Sequence, residues 1–318
     1  MRTLKLVLCL ATWPAVATAQ FFETEPNDDK GSATVVSGML SGQTITGHSM
    51  GNRDVFRVST APTDRAIYRH RLNLWTSMPG PAGGHFGKIV GLQQTNGTII
   101  PDTYWVMQTS GNPRFNQWYG FGKGESIYYE VMGDSFTEEN YVATLETEVV
   151  TPDYLGSFRE GLITISTVAR NLATNPDTDL WVYDSDFNAI PDYGNDRSNA
   201  SPPYANNAEL TRSFAPGTYY LALSNYNVAN NLPSPADDGY RNGPVLDFPD
   251  AIVNTSLSPS DLRFGVVAGV FRSEFTAFKP GSFGIYWARF DVHPVPEPGT
   301  ITAVGLGLAA LILRRRRP

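Results

Sequence analysis

Five oxygen-bearing side chains offer the plainest chemistry in the chain. Glu23, Glu25, Asn27 and Asp28 place three carboxylates and an amide oxygen within six residues, and Asp54 opens a hydrophobic run further on. Hard oxygen donors in a turn-rich segment are what Ca²⁺ needs at its usual coordination of about six to eight. A solvated acidic arm ending in a turn would use the same residues. The residues alone leave both readings open.

Other motifs carry less. Asp184-Ser185-Asp186-Phe187-Asn188 imitates the start of a helix–loop–helix calcium loop, but Ala189 replaces its glycine and Asn195 its closing glutamate. Turn chemistry explains that cluster about as well. Gly47-His48-Ser49-Met50-Gly51 fits the nucleophile-elbow pattern, which needs a strand turning into a helix. A polar turn and another strand follow instead, so a β-turn is expected and no catalytic residue is assigned. Gly120 to Gly124 is glycine-rich but leads into a strand, and so lacks the helix N-terminus that cradles phosphate. Four scattered histidines, with Cys9 the only cysteine, give no zinc-ligand spacing. Tyr193, Tyr204, Tyr226 and Tyr240 sit among Asn, Asp and Pro in two long loops. Aromatic faces beside amides and carboxylates suit sugar rings. The alternative is that these rings pack back onto the core and cap its ends.

The elements that must position these groups read as strands. Val55–Val58, Ile127–Val131, Leu180–Tyr183, Tyr219–Leu223 and Ile285–Trp287 are short β-branched and aromatic runs divided by Gly, Pro, Asn and Asp. No amphipathic helix is evident between residues 20 and 292, so the class predicted is all-β. Gly124–Val131 resembles Gly217–Leu223, and each follows a Leu-Trp strand, Asn73-Leu74-Trp75 or Asp179-Leu180-Trp181. This weak repeat predicts two modules, 20–149 and 150–292, joined near Thr151-Pro152-Asp153, and short strands between turns read as sandwiches or barrels.

Composition agrees. Of 318 residues 41% are hydrophobic but only 17% charged, with 29 Gly and 23 Pro, which disfavours helical bundles and wholesale disorder. The formal charge is −7, and it becomes −12 once residues 1–19 and 296–318, with six basic residues and one acidic, are set aside. A surface that acidic repels phosphate backbones and argues against nucleic-acid binding.

Both ends carry addresses. Arg2 and Lys5, the apolar stretch from Leu6, and Ala17-Thr18-Ala19 before Gln20 form a three-part secretion signal over 1–19, with cleavage expected between Ala19 and Gln20. At the other end Pro296-Glu297-Pro298-Gly299 precedes the apolar stretch Thr300–Leu313 and then Arg314 to Arg317. As a helix, that stretch would span roughly 21 Å, short of a hydrocarbon core of about 30 Å. The arginines would hold its end in the cytoplasm. Residues 293–318 resemble a PEP-CTERM sorting signal. The resemblance implies that Pro296, Glu297 and Pro298 are the recognition motif and that an exosortase of a Gram-negative, exopolysaccharide-making bacterium processes the tail. Anchoring in the inner membrane would then be transient, and the destination the cell surface or extracellular matrix.

A second resemblance lies in the body. Glu23-Thr24-Glu25-Pro26-Asn27-Asp28 with Asp54-Val55-Phe56-Arg57, and more loosely Asp177–Asp184 with Pro216–Leu223, is similar to bacterial pre-peptidase C-terminal (PPC) domains, and the resemblance implies that the two modules are jelly-roll-like β-sandwiches. The family's calcium-binding members imply Glu23, Glu25, Asn27, Asp28 and Asp54 as ligands, with Asn52 in place of a usual aspartate. The function expected is a non-enzymatic exported protein that binds exopolysaccharide or another surface component. The alternative is a secreted polysaccharide hydrolase with its carboxylate pair among Asp177, Asp184, Glu209, Asp237 and Asp238, about 5 to 9.5 Å apart. A purely structural spacer is a third reading.

Overall fold

The computed structural model describes residues 20–49, 53–76, 85–95, 98–107, 113–133, 138–168, 177–196, 207–225, 228–238 and 244–295. Over these the protein is all-β, as the strand-like runs predict. The secretion signal and the C-terminal apolar segment lie outside the described residues.

Residues 20–150 form β1 (Gln20–Phe22), β2 (Thr34–Met39), β3 (Thr44–Ser49), β4 (Arg53–Thr60), β5 (Ile67–Thr76), β6 (Phe86–Thr95), β7 (Thr98–Met107), β8 (Arg114–Gly120), β9 (Ser126–Met132) and β10 (Glu139–Val150). One sheet has the order β1-β3-β10-β5-β8 and the other β2-β4-β9-β6-β7. Ile45, Leu72, Leu74 and Leu145 of the first meet Val36, Phe56, Val58 and Tyr129 of the second in one core. Period-two alternation sets this arrangement. On β5, His70, Leu72 and Leu74 are buried while Arg69, Arg71 and Asn73 are less so.

Residues 153–293 form β11 (Asp153–Arg159), β12 (Gly161–Ser166), β13 (Thr178–Tyr183), β14 (Ala189–Asn195), β15 (Glu209–Phe214), β16 (Gly217–Asn225), β17 (Val228–Ala229), β18 (Val253–Asn254), β19 (Ser260–Ala268), β20 (Phe271–Lys279) and β21 (Tyr286–His293). Sheets β11-β21-β16-β13-β14 and β15-β12-β19-β20 enclose a second core, and β17 pairs with β18.

The two sandwiches share a third core. β13 is buried along its whole length. Leu180 and Val182 face the second core, whereas Trp181 and Tyr183 face Ile67, Tyr119 and Phe121 of the first sandwich. A strand covered on both faces has no need of polar alternation, so Leu180–Tyr183 reads as one apolar run. Phe121 stacks on Phe187 at 5.3 Å and meets Trp287 edge-on at 5.7 Å. The segment around β17 and β18 also crosses over, since Ala229, Val245, Leu246, Ala251 and Val253 complete the first core.

The Leu-Trp strands of the two halves pair differently. Ser126–Val131 lies in β9 and Gly217–Leu223 in β16, and β9 pairs with β4 as β16 pairs with β13. Asp54 lies opposite Val131 on β9, and Asp179 opposite Ser224 on β16. Asn73-Leu74-Trp75 falls on β5, in the facing sheet. A shared dipeptide says nothing about which neighbour a strand finds.

Candidate metal centre

The N-terminal acids converge because β1 runs parallel to β3 and delivers the chain to the start of β4. The Glu23 amide donates to the Thr46 carbonyl at 3.1 Å, and the Val55 amide to the Asn27 carbonyl at 2.8 Å. The arm 23–27 is therefore stitched to both sheets. Glu23 accepts the His48 amide on Oε1 at 2.6 Å and the Tyr141 hydroxyl on Oε2 at 2.8 Å. Gly47 makes room for this, because a Cβ there would collide with the Tyr141 hydroxyl and Glu23 Oε2.

One oxygen each of Glu23, Glu25 and Asp54 lie within 4.8 Å of one another. Asp54 is 0% exposed, and neither of its carboxylate oxygens has a hydrogen-bond partner. Asn27 is equally buried. Its Nδ2 donates to Thr34 Oγ1 at 3.3 Å, while its Oδ1 is left unpartnered. Asp28 is exposed, yet its charge reaches Asp54. The Asp54 carboxyl is pushed up to about 7, mainly by burial; the charges of Glu23, Glu25 and Asp28 add to the shift and the Tyr141 hydroxyl opposes it. A buried carboxylate among acids needs a proton or a cation. The donors are all hard oxygens, and three of them are buried without partners. That set fits calcium. Asn52 lies outside the described residues.

Other sequence-nominated positions resolve differently. Tyr193 packs edge-on against Phe214 at 5.2 Å and donates its hydroxyl to the Ser213 carbonyl at 2.5 Å, which is the capping role rather than an open stacking face. Tyr204, Tyr226, Tyr240, Ala19, Pro296, Glu297 and Pro298 lie outside the described residues. Gln20 opens β1 and donates from Nε2 to Thr46 Oγ1 at 2.6 Å. Ser49 ends β3 as a buried strand residue, with no helix following in the described residues. Gly122 and Gly124 turn with φ of 71° and 81°.

Three of the acids considered for a hydrolase, Asp184, Asp237 and Glu209, are engaged in structure. Asp184 Oδ1 accepts the amides of Asp186 and Asn188, each at 2.9 Å, closing its own turn. Asp237 is held by Arg212 through two bonds of 2.8 and 2.6 Å, and Glu209 accepts the Ser166 hydroxyl at 2.9 Å.

Sequence reasoning missed the junction. Lys123 reaches across from the glycine-rich turn and donates to Asn188 Oδ1 at 2.8 Å and Asp250 Oδ1 at 2.7 Å. Beside it opens a cavity of about 230 Å³ whose lining includes Tyr183, Asn188, Asn230, Asn231 and Asp250. No local signal joins residues so far apart in the chain; only the shared core does.

Residues 294–317 match the PEP-CTERM protein-sorting motif. No curated protein matches the chain. The motif marks an exported, cell-surface-directed protein sorted by exosortase.

Proposed function

We propose that this exported chain is a non-enzymatic protein of the cell surface or extracellular matrix of a Gram-negative bacterium, and that it binds exopolysaccharide. The observation that carries the ligand is the cavity at the junction, whose lining includes the side-chain amides of Asn188, Asn230 and Asn231 and the Asp250 carboxylate. Sugar hydroxyls ask for such groups, since they take donors and acceptors together. At about 230 Å³ the space suits one sugar unit of a longer chain rather than a drug-sized ligand. Exosortase processing would release the chain from a transient stay in the inner membrane.

Calcium belongs to the same reading. Held by Glu23, Glu25, Asn27, Asp28 and Asp54, it would supply the positive charge this arm lacks and fasten the arm to β4. The orphaned oxygens of Asp54 and Asn27 support this, as does the resemblance to pre-peptidase C-terminal domains, which extends to both modules.

Co-sedimentation of the full chain with host exopolysaccharide, in calcium and in EGTA, tests the proposal. Binding is expected, weakened several-fold by Asn231→Ala at the cavity. Release of reducing ends would overturn the non-enzymatic assignment. Absence of binding in both buffers would leave a spacer or a protein-binding module.

A further inference from the structure

The cavity at the junction is lined by two polar groups that the fold leaves unserved. Tyr183 and Asn230 both line it, and each is 2% exposed. Asn230 Oδ1 accepts the Leu232 amide at 2.8 Å, which leaves Nδ2 as the donor to be satisfied. Neither that Nδ2 nor the Tyr183 hydroxyl has a hydrogen-bond partner. The Tyr183 ring packs against Phe121 at 5.0 Å and Trp287 at 5.5 Å, so the hydroxyl is the chemistry it has to offer. Burial pushes the pKa of that hydroxyl up; the Asn230 side chain opposes the shift, and the charges of Asp179 and Asp250 add to it. Buried polar groups without partners are rare, and these two border one space.

Two donors suit a sugar hydroxyl or a carboxylate equally well. Charge separates the two. Lys123, the cation beside the cavity, already gives three hydrogen bonds, to the Phe187 carbonyl at 3.1 Å, Asn188 Oδ1 at 2.8 Å and Asp250 Oδ1 at 2.7 Å. An ammonium has three protons, so none is left for an incoming anion. Asn188 is spent likewise, for its Nδ2 donates to Asp184 Oδ2 at 3.0 Å. The described residues lining the cavity include no cation. A carboxylate entering there would sit near Asp250 with nothing to offset it, which is costly away from water.

We infer that the site takes an uncharged sugar unit and excludes uronic and other acidic sugars, an inference that rests on the proposed binding of exopolysaccharide at this cavity. A sugar hydroxyl accepts from Asn230 Nδ2 and donates to the Tyr183 oxygen. An ionised carboxylate has no proton to give in return.

Host exopolysaccharide converted to two forms tests the inference, one with its carboxyl groups reduced to alcohols and the other with its primary alcohols oxidised to carboxylates. Each is titrated into the full chain at about 0.5 M salt, which screens long-range repulsion by the acidic surface. The reduced form should bind about tenfold tighter than the oxidised one. Tyr183→Phe should weaken the reduced form several-fold without lowering the melting temperature, because the hydroxyl has no partner to lose. Asp250→Asn should narrow the gap by strengthening the oxidised form. Equal binding of the two forms by the wild type, or tighter binding of the oxidised one, would overturn the inference. A wild type that prefers the reduced form, with both variants unchanged, would mean that exopolysaccharide binds elsewhere on the chain, and the assignment to this cavity fails. Binding of neither form would sink the function proposed above and this inference with it.

Discussion

Asp54 and Asp179 occupy one register position in two sandwiches and solve the same problem in opposite ways. Each is 0% exposed near the start of its strand, opposite Val131 on β9 or Ser224 on β16. Each meets an irregular segment of chain. For Asp179 that segment supplies a donor, the Val228 amide at 2.6 Å. For Asp54 it supplies Glu23, Glu25 and Asp28, and the carboxylate has no partner. The faces differ too. Asp54 shares its face with Phe56 and Val58 towards the first core, whereas Asp179 shares its own with Trp181 and Tyr183 towards the junction. What a buried aspartate can do is thus set by the arm that reaches it: a donor makes it structural, and further acids leave it in need of a proton or a cation.

The largest expected effect tests whether the two sandwiches are one unit. Phe121 fills the shared core, and Phe121→Ala should cost about 3–5 kcal/mol and split a single calorimetric transition into two. A single transition with unchanged midpoint would show the junction to be dispensable.

Calcium comes next. At one hundred times its dissociation constant it should stabilise the chain by about 2.7 kcal/mol, and Asp54→Asn should abolish the part owed to the N-terminal cluster. In chelator the pH dependence has a definite sign. The Asp54 carboxyl sits at about 7 in the fold against 3.8 unfolded, so the folded state holds the extra proton between those values. Stability in EGTA should therefore fall as pH rises from 4 towards 7, and saturating calcium, which takes the ionised form, should flatten that slope. Melting curves at matched pH with and without calcium would read both; identical slopes would remove calcium from Asp54.

Asp179→Asn should behave otherwise. It weakens the bond to the Val228 amide by about 1 kcal/mol, equally in calcium and in EGTA. A calcium-dependent difference would erase the contrast between the two aspartates. Smallest of all, Arg212→Met removes a partly exposed pair with Asp237 and should cost less than about 1 kcal/mol. A larger loss would mean that the Arg212 bond to the Asp192 carbonyl also holds β14 in place.

Local physics made much of the molecule legible in the sequence. Val55–Val58, Ile127–Val131, Leu180–Tyr183 and Tyr219–Leu223 all lie within strands, because β-branched and aromatic side chains between turn formers favour a pleated surface whatever their partners. The sorting tail is likewise read from contiguous residues, a motif before an apolar stretch before arginines. Glu23, Glu25 and Asp54 were nominated from residue type, and Glu23 and Glu25 are only two positions apart. Pairing, facing and closure were decided by the tertiary structure. It turned Tyr193 onto Phe214 and carried Lys123 across the junction to Asn188 and Asp250. It also carried Val245, Leu246 and Val253 into the core of the other sandwich. Propensity belongs to a residue and its neighbours, but burial and charge balance depend on whatever distant segment arrives, and that is a property of the whole fold.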